Sequence, residues 1–152
     1  MIIYRLCLSK YAEDLTGSGA KTNGGRWNSI GNPVTYCSEN RALTLLEFIV
    51  NLPFKLIQTD LVIVSIDLPD EILIEEVQTR SLPVDWNTYP IINRTKEIGD
   101  DWIKKGTSLL LKVPSAIIPQ EYNYLINPSN KEMEKVKISA KEKLNIDKRI
   151  LP

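Results

Sequence analysis

The segment that most constrains the fold is 61–68, LVIVSIDL, an apolar run interrupted only by one serine and one aspartate. A nearly continuous run of β-branched and aliphatic residues is typical of a strand that is covered on both faces. We therefore expect this segment in the centre of a β-sheet, with Pro69-Asp70 ending it.

Shorter patterns predict further regular elements. Four more strands are expected from β-prone runs, at 2–6, 33–37, 108–113 and 122–126. Two helices are expected from apolar periodicity, at 41–50 before Leu52-Pro53 and at 93–105 before the C-cap Gly106. The three tryptophans, Trp27, Trp86 and Trp102, are expected to pack in the core.

Other segments are less regular. The composition predicts a loop at 14–20, a short extended piece at 83–86 and a solvated, charge-rich face at 131–149. Segment 72–77 fits either a strand or a helical turn, and 136–138 is a candidate edge strand. Because strands and helices are mixed without a regular βαβ alternation, we predict an α+β fold and not a doubly wound parallel sheet.

Length and composition limit the functions open to the chain. At 152 residues we expect one domain, 1–152. The 19 basic and 19 acidic residues balance, which argues against broad electrostatic binding to nucleic acid. The absence of histidine excludes Ser-His and Cys-His catalysis and, with only two cysteines, argues against a metal site. With no signal-peptide pattern and no membrane-spanning run, we expect a cytoplasmic protein.

The stretch 24–47 carries the residues best suited to chemistry. Gly24 and Gly25 permit a sharp bend, and Arg26 then presents a planar cation suited to phosphate or carboxylate. Tyr36 lies on the short strand, and Glu47 lies on the helix that follows, for which Ser38 is the expected N-cap. The expected apolar stripe of this helix comprises Ala42, Leu45, Leu46 and Ile49. Glu47 follows that stripe directly, so it lies either at a solvated margin, which periodicity favours, or in a cleft.

Several motifs, in one order along almost the whole chain, together resemble the RES-domain toxins of bacterial toxin–antitoxin systems. They are Tyr4-Arg5, DLTGSGA at 14–20, GGRWN at 24–28, Tyr36, ALTLLE at 42–47, Trp86 with Tyr89-Pro90, GDDW at 99–102, Val113-Pro114-Ser115 and NYLINP at 123–128. The family often has His-Pro soon after the Asn-Pro turn, where this chain has Ser129-Asn130.

The resemblance implies an ADP-ribosyltransferase-like split β-sheet with flanking helices and an activity that consumes NAD+ as its substrate, without a metal. The arginine, glutamate and serine that name the family match Arg26 or Arg5, Glu47 and Ser115. Tyr36 lies where an aromatic ring is expected against the nicotinamide. The resemblance also implies an Xre-type antitoxin as partner, covering the cleft. A homodimer is compatible with the sequence, but no feature points to it.

The chemistry of NAD+ cleavage suits these residues. Breaking the nicotinamide–ribose bond builds positive charge on the ribose, and nicotinamide leaves neutral, so a carboxylate such as Glu47 is needed and a general acid is not. Arg5, Arg26 and the N–H groups of the Gly24-Gly25 bend could meet the pyrophosphate.

The remaining site residues have ordinary alternatives. Tyr36 could stack on nicotinamide or be plain core. Ser115 could bind the nicotinamide amide, position Glu47 or simply complete a turn after Pro114. Arg5 could face solvent or clamp a ligand. Three functions therefore stay open: an enzyme that transfers the ribose to water or phosphate, a protein ADP-ribosyltransferase, and a non-catalytic module that binds an antitoxin or a nucleotide.

Overall fold

A seven-stranded β-sheet forms the centre of the computed structural model, which describes residues 1–51 and 60–150. The strands are β1 (Ile2–Leu8), β2 (Thr35–Ser38), β3 (Leu61–Asp67), β4 (Ile74–Glu76), β5 (Leu110–Pro114), β6 (Tyr122–Ile126) and β7 (Lys137–Leu144). The α-helices of the described part are α1 (Ser18–Asn23), α2 (Arg41–Asn51) and α3 (Asn93–Lys105). The predicted α+β class is confirmed.

The sheet is nearly divided between β1 and β2. Its strand order is β4-β5-β6-β2-β1-β3-β7, and all neighbours are antiparallel except β4 and β5. Strand β1 is aligned with β3 along its whole length, from Ile2 to Leu8, but with β2 only at Tyr4 and Ser38. The two halves, β4-β5-β6-β2 and β1-β3-β7, therefore separate on either side of this one pair, as expected for a split sheet.

Strand β3 confirms the prediction of an interior strand but not its central position. Val62, Val64 and Ile66 pack into one hydrophobic cluster, and Leu61 and Ile63 pack into another, so both faces are covered. The strand nevertheless lies next to the edge strand β7. An apolar run reports burial of both faces, and it does not report how many strands lie on each side.

Helix α2 has the predicted bounds within one residue, but its cap differs from the prediction. Asn40 is the N-cap, because its Oδ1 accepts the N–H of Leu43 at 2.8 Å. The hydroxyl of Ser38 instead donates to Asn123 Oδ1 at 2.7 Å. Ser38 is the last residue of β2, so its side chain faces the neighbouring strand β6 rather than the helix.

The buried face of α2 also differs from the expected stripe. Leu43 and Thr44 are its buried residues, whereas Ala42 is exposed. Thr44 can be buried because its hydroxyl donates to Asn40 O at 2.8 Å. Glu47 lies one turn beyond Leu43 and Thr44, which places it on the same side of the helix, facing the sheet. The surface position that periodicity favoured for Glu47 is therefore wrong.

The less regular segments are confirmed in part. Helix α1 starts inside the expected loop 14–20, and 83–86 is a turn in which Trp86 N–H donates to Pro83 O at 3.1 Å. Segment 72–77 contains a strand, the edge strand β4, and the candidate edge strand at 136–138 is confirmed as the start of the largely exposed β7, which is longer than expected. Leu52-Pro53 lies outside the described residues. No helix in the ranges 1–51 and 60–150 is long and apolar enough to cross a membrane.

Candidate active site

Glu47 is held by two donors that meet on one oxygen. Its Oε1 accepts Ser115 Oγ at 2.7 Å and Asn123 Nδ2 at 2.6 Å. Within residues 1–51 and 60–150, Oε2 accepts no hydrogen bond and the half-buried carboxylate has no ion-pair partner. Oε2 is therefore the oxygen that a ligand in the cleft can reach.

Ser115 is fixed by the turn that follows β5. The residue is fully buried, and its Oγ accepts the N–H groups of Ile117 at 3.1 Å and Ile118 at 3.2 Å. Because these two bonds occupy the lone pairs of the hydroxyl oxygen, its proton points to Glu47. Ser115 Oγ thus bonds both to the turn that follows β5 and to Glu47, as two of the expected alternatives for Ser115 describe.

The loop 24–32, called the Arg26 loop below, is anchored on α3. Asp100 Oδ1 accepts the N–H of Ser29 at 2.9 Å and Asn32 Nδ2 at 2.7 Å. Burial acts to raise the pKa of Asp100, but these hydrogen bonds outweigh it and leave the pKa below its usual value. A Cβ on Gly99 would lie 1.7 Å from Trp27 O, so only glycine allows the loop this close to the helix.

Arg26 extends from this loop to a second one. Its Nη1 donates to Trp86 O at 2.7 Å and Thr88 O at 3.1 Å, and its Nη2 donates to Thr88 O at 3.2 Å. Burial lowers the pKa of Arg26, while the negative charge of Glu47 acts in the opposite direction. The guanidinium therefore lies within electrostatic reach of Glu47 while fastening two loops together.

Tyr36 turns its hydroxyl inward and its ring toward the cleft. The hydroxyl accepts Trp27 N–H at 3.0 Å and donates to Asn28 Oδ1 at 2.8 Å. Burial raises the pKa of this hydroxyl far above its usual value. The phenol therefore stays neutral, and its hydroxyl is fixed by two structural hydrogen bonds. The ring is then the part of Tyr36 that can contact a ligand.

The two glycines before Arg26 have their N–H groups in use. Gly24 N–H donates to Ala20 O at 2.8 Å, and Gly25 N–H donates to Asn28 O at 3.0 Å. A Cβ on Gly25 would lie 2.6 Å from Tyr36 Oη. The structure thus gives neither glycine a free donor for a pyrophosphate, and the role it gives Gly25 is to admit the tyrosine hydroxyl.

Two adjoining cavities open at the junction between the sheet halves. The first, the Glu47 cavity, has a volume of about 230 Å³, and its walls include Tyr4, Glu47 and Asn123. The second, the Asp14 cavity, has a volume of about 210 Å³, and its walls include Asp14 and the start of α1. Arg5, Leu6 and Tyr36 line both. The two cavities therefore share part of their walls, and Arg5 belongs to that shared part.

Arg5 is the arginine of the cavity walls, and Arg26 is in the walls of neither of these two cavities. The Nη1 of Arg5 donates to Tyr11 O at 3.1 Å and to Asp14 O at 2.6 Å. These bonds hold the guanidinium in place at the junction. In the described part of the chain, no group of three or more His, Cys, Asp or Glu side chains is placed to hold a metal ion.

The structure brings Glu47, Ser115, Tyr36 and Arg5 to one site and places Arg26 beside it. Sequence reasoning missed Asn123 as a partner of Glu47, although the residue begins the NYLINP motif. Only the alignment of β6 with β2, which puts Asn123 opposite Ser38, reveals the contact. No local pattern carries that information.

Known proteins are similar to this chain in sequence and in fold. The RES domain family model matches residues 2–147. The chain is 41% identical over 136 residues to "Toxin Res" of Photorhabdus laumondii, covering 89% of this chain and 86% of that one. It is 38% identical over 142 residues to "Prs ADP-ribosylating toxin" of Sphingobium sp. strain YBL2, covering 92% and 88%.

A solved structure has the same fold. The Mycobacterium tuberculosis MbcT-MbcA toxin-antitoxin complex contains a chain that superposes with a TM-score of 0.77 at 16% identity, covering 95% of this chain and 84% of that one. At this identity the likeness concerns the fold alone. The family match over nearly the whole chain, together with the two close relatives, shows that the protein belongs to the RES domain family, the family of these toxins.

Proposed function

We propose that this protein is the toxin of a toxin–antitoxin pair and cleaves the nicotinamide–ribose bond of NAD+, with water or phosphate as acceptor. Loss of NAD+ would then arrest growth. The observation that carries the proposal is the carboxylate of Glu47, which is held through Oε1, keeps Oε2 free among the described residues and lines the Glu47 cavity. Family membership supports the same conclusion.

The size and shape of the site suit an elongated ligand. Each cavity is smaller than the roughly 300–1,000 Å³ typical of ligand sites, but the two together fall within that range. NAD+ is a two-part molecule, with a nicotinamide riboside and an adenosine joined by a pyrophosphate. Arg5 lines both cavities, which supports a role for its cation in binding the pyrophosphate that joins the two parts.

Glu47 would act on charge that develops during the reaction. Positive charge grows on the ribose as nicotinamide leaves, and a carboxylate already in position stabilises it without further reorganisation. Oε2 would also accept a hydrogen bond from a ribose hydroxyl. The ring of Tyr36, its hydroxyl already bonded, would hold the nicotinamide by stacking. Arg26 would contribute its charge from beside the site, and Gly25 would keep the tyrosine in place.

A second candidate is transfer of ADP-ribose to a protein side chain. It is favoured by the 38% identity to a relative named as an ADP-ribosylating toxin. The same bond breaks in both reactions, and only the acceptor differs. Glu47 and the two cavities would therefore serve either function.

Incubation of the purified protein with NAD+ labelled in its adenine separates these functions. We expect release of nicotinamide and soluble labelled ADP-ribose, in phosphorylated form if phosphate is the acceptor. Label retained on a protein band would instead support transfer. A folded protein that releases no nicotinamide, with and without a bacterial lysate as a source of targets, would refute both and leave a binding module.

We further propose that an Xre-type antitoxin covers the cleft, and that the whole chain acts in the cytoplasm as a single RES domain. The fold shared with a chain of a toxin–antitoxin complex supports a partner of this kind. Expression of the protein alone should arrest bacterial growth, and co-expression with the antitoxin should restore it. Harmless accumulation of folded protein would contradict the toxin assignment.

A further inference from the structure

A chain of two hydrogen bonds links strand β2 to Glu47 through Asn123. Ser38 and Asn123 are opposite each other in the β2–β6 pair. Ser38 Oγ donates to Asn123 Oδ1 at 2.7 Å, and Asn123 Nδ2 donates to Glu47 Oε1 at 2.6 Å. Asn123 and Ser38 both line the Glu47 cavity, and Ser38 is only 3% exposed.

The two contacts select one orientation of the Asn123 amide. With the amide as it is, its oxygen accepts the serine proton and its nitrogen donates to the carboxylate. Turning the amide by half a rotation would place Oδ1 against Glu47 Oε1, and two acceptors repel each other. The Glu47 carboxylate, which can only accept, therefore selects this orientation, and the buried hydroxyl of Ser38, which donates to Oδ1, anchors the amide at its other end.

Both donors to Glu47 come from one half of the sheet. Asn123 lies on β6 and Ser115 follows β5, whereas Glu47 comes from α2, which packs over the junction on β1 and β2, one strand of each half. One donor would leave the carboxylate free to swing about a single contact. Two donors on Oε1 restrict the carboxylate more than one does, and they leave Oε2 free for a ligand in the Glu47 cavity.

We propose that Asn123, anchored by Ser38, is a positioning residue that holds Glu47 through Oε1 and leaves Oε2 for the reacting ribose. The inference rests on the proposed function, since it assigns the pair a role in the same reaction. Its effect falls on the transition state, because the charge that Oε2 meets exists only there. Loss of the pair should therefore lower kcat and leave KM nearly unchanged.

The test compares kcat and KM for nicotinamide release by three variants. Asn123→Ala removes the donor, and we expect kcat to fall by about tenfold to a hundredfold with KM within about threefold. Ser38→Ala keeps Asn123 but frees its amide, and we expect a smaller fall in kcat, reversed by Ser38→Thr, which restores a hydroxyl. The matched control is Ser65→Ala: Ser65 is also a strand serine that is 3% exposed, and its hydroxyl has no partner among the described residues.

The outcomes separate this inference from the proposed function. Suppose that the parent protein releases nicotinamide and that Ser38→Ala and folded Asn123→Ala have the same kcat as the parent. This result would refute the positioning role and leave the proposed function intact. A rise in KM without loss of kcat would also refute it, because it would indicate uniform ligand binding. If the parent protein releases no nicotinamide, the proposed function fails. A crystal structure of Asn123→Ala or Ser38→Ala then tests whether the pair positions Glu47. A Glu47 carboxylate that has not moved would refute the positioning role.

Discussion

Replacement of Glu47 by glutamine removes one negative charge from the cleft and keeps the shape of the side chain. The amide oxygen of glutamine can take the place of Oε1 and accept from both Ser115 and Asn123. The amide nitrogen then occupies the place of Oε2 and faces the cavity. The variant is thus expected to fold with the same contacts and to differ mainly in charge at the reacting ribose.

The expected loss appears in turnover. A single preorganised electrostatic group is typically worth about 10²–10³ in kcat, or about 2.7–4 kcal/mol of transition-state stabilisation. Binding of NAD+ should change much less, because the ribose carries its positive charge only on the way to the transition state. We therefore expect kcat for nicotinamide release to fall about 10²–10³-fold and the dissociation constant of NAD+ to stay within about threefold.

The expected effect on stability follows from the same two contacts. A hydrogen bond to an ionised acceptor is worth about 1.5–3 kcal/mol and a neutral one about 0.5–1.5 kcal/mol, so weakening two of them costs about 2 kcal/mol. Relief of the desolvation of a half-buried carboxylate offsets part of this loss. For a chain of this length, we expect the melting temperature to fall by less than about 8 °C.

The assay is nicotinamide release at saturating NAD+, with binding measured by calorimetry and folding by circular dichroism. Glu97→Gln is the matched control, because Glu97 is an exposed residue of α3 whose partner is Arg94, at 3.2 Å. Its kcat should equal that of the parent protein. A folded Glu47→Gln protein that keeps turnover within about threefold of the parent would refute the role of the carboxylate.

Three further predictions concern the elements that support the site. Arg26→Lys cannot reproduce three bonds to two carbonyls, so we expect a loss of about 1–2 kcal/mol in unfolding free energy. Because the loosened loop carries the partners of the Tyr36 hydroxyl, we also expect weaker NAD+ binding by calorimetry; unchanged stability and affinity would contradict the role of Arg26 in fastening the two loops. Gly99→Ala should lower the melting temperature strongly, because the added Cβ would clash with Trp27 O. Gly19→Ala should raise it slightly, because nothing lies within 4 Å of the added Cβ. Equal melting temperatures for the two variants would contradict the close packing at Gly99. The lowered pKa of Asp100 means that its ionised form stabilises the folded state, fully above the unfolded pKa of about 4 and progressively less as pH falls through the folded value. Asp100→Asn should therefore show a smaller drop in melting temperature on acidification than the parent protein, and parallel curves would refute this.

Several features could be predicted from the sequence because they depend on local chemistry. The β-prone runs of β1 and β6, the periodicity of α2 and α3 and the C-cap Gly106 predicted elements whose bounds lie within two residues of those observed. The β-sheet and the α+β class followed from the same patterns. The resemblance carried by the motifs identified the family, and the residues it pointed to, Glu47 and Ser115 among them, are in contact.

What the sequence could not predict depends on which residues meet across the sheet. Periodicity favoured the surface for Glu47, because a carboxylate is usually solvated, and only the docking of α2 on β1 and β2 turns it into the cleft. The contact between Asn123 and Glu47 exists because β6 aligns with β2 in one particular register.

The cleft also depends on which residues meet across the sheet. The sequence determined the strands, the helices and the residue types that can stabilise a cation, since each of these depends on a few neighbouring side chains. The tertiary structure alone decided that β1 and β2 meet only at Tyr4 and Ser38, and that Arg5 lies in the opening beside this pair. Strand pairing depends on contacts between residues far apart in the chain, and no local pattern contains their partners.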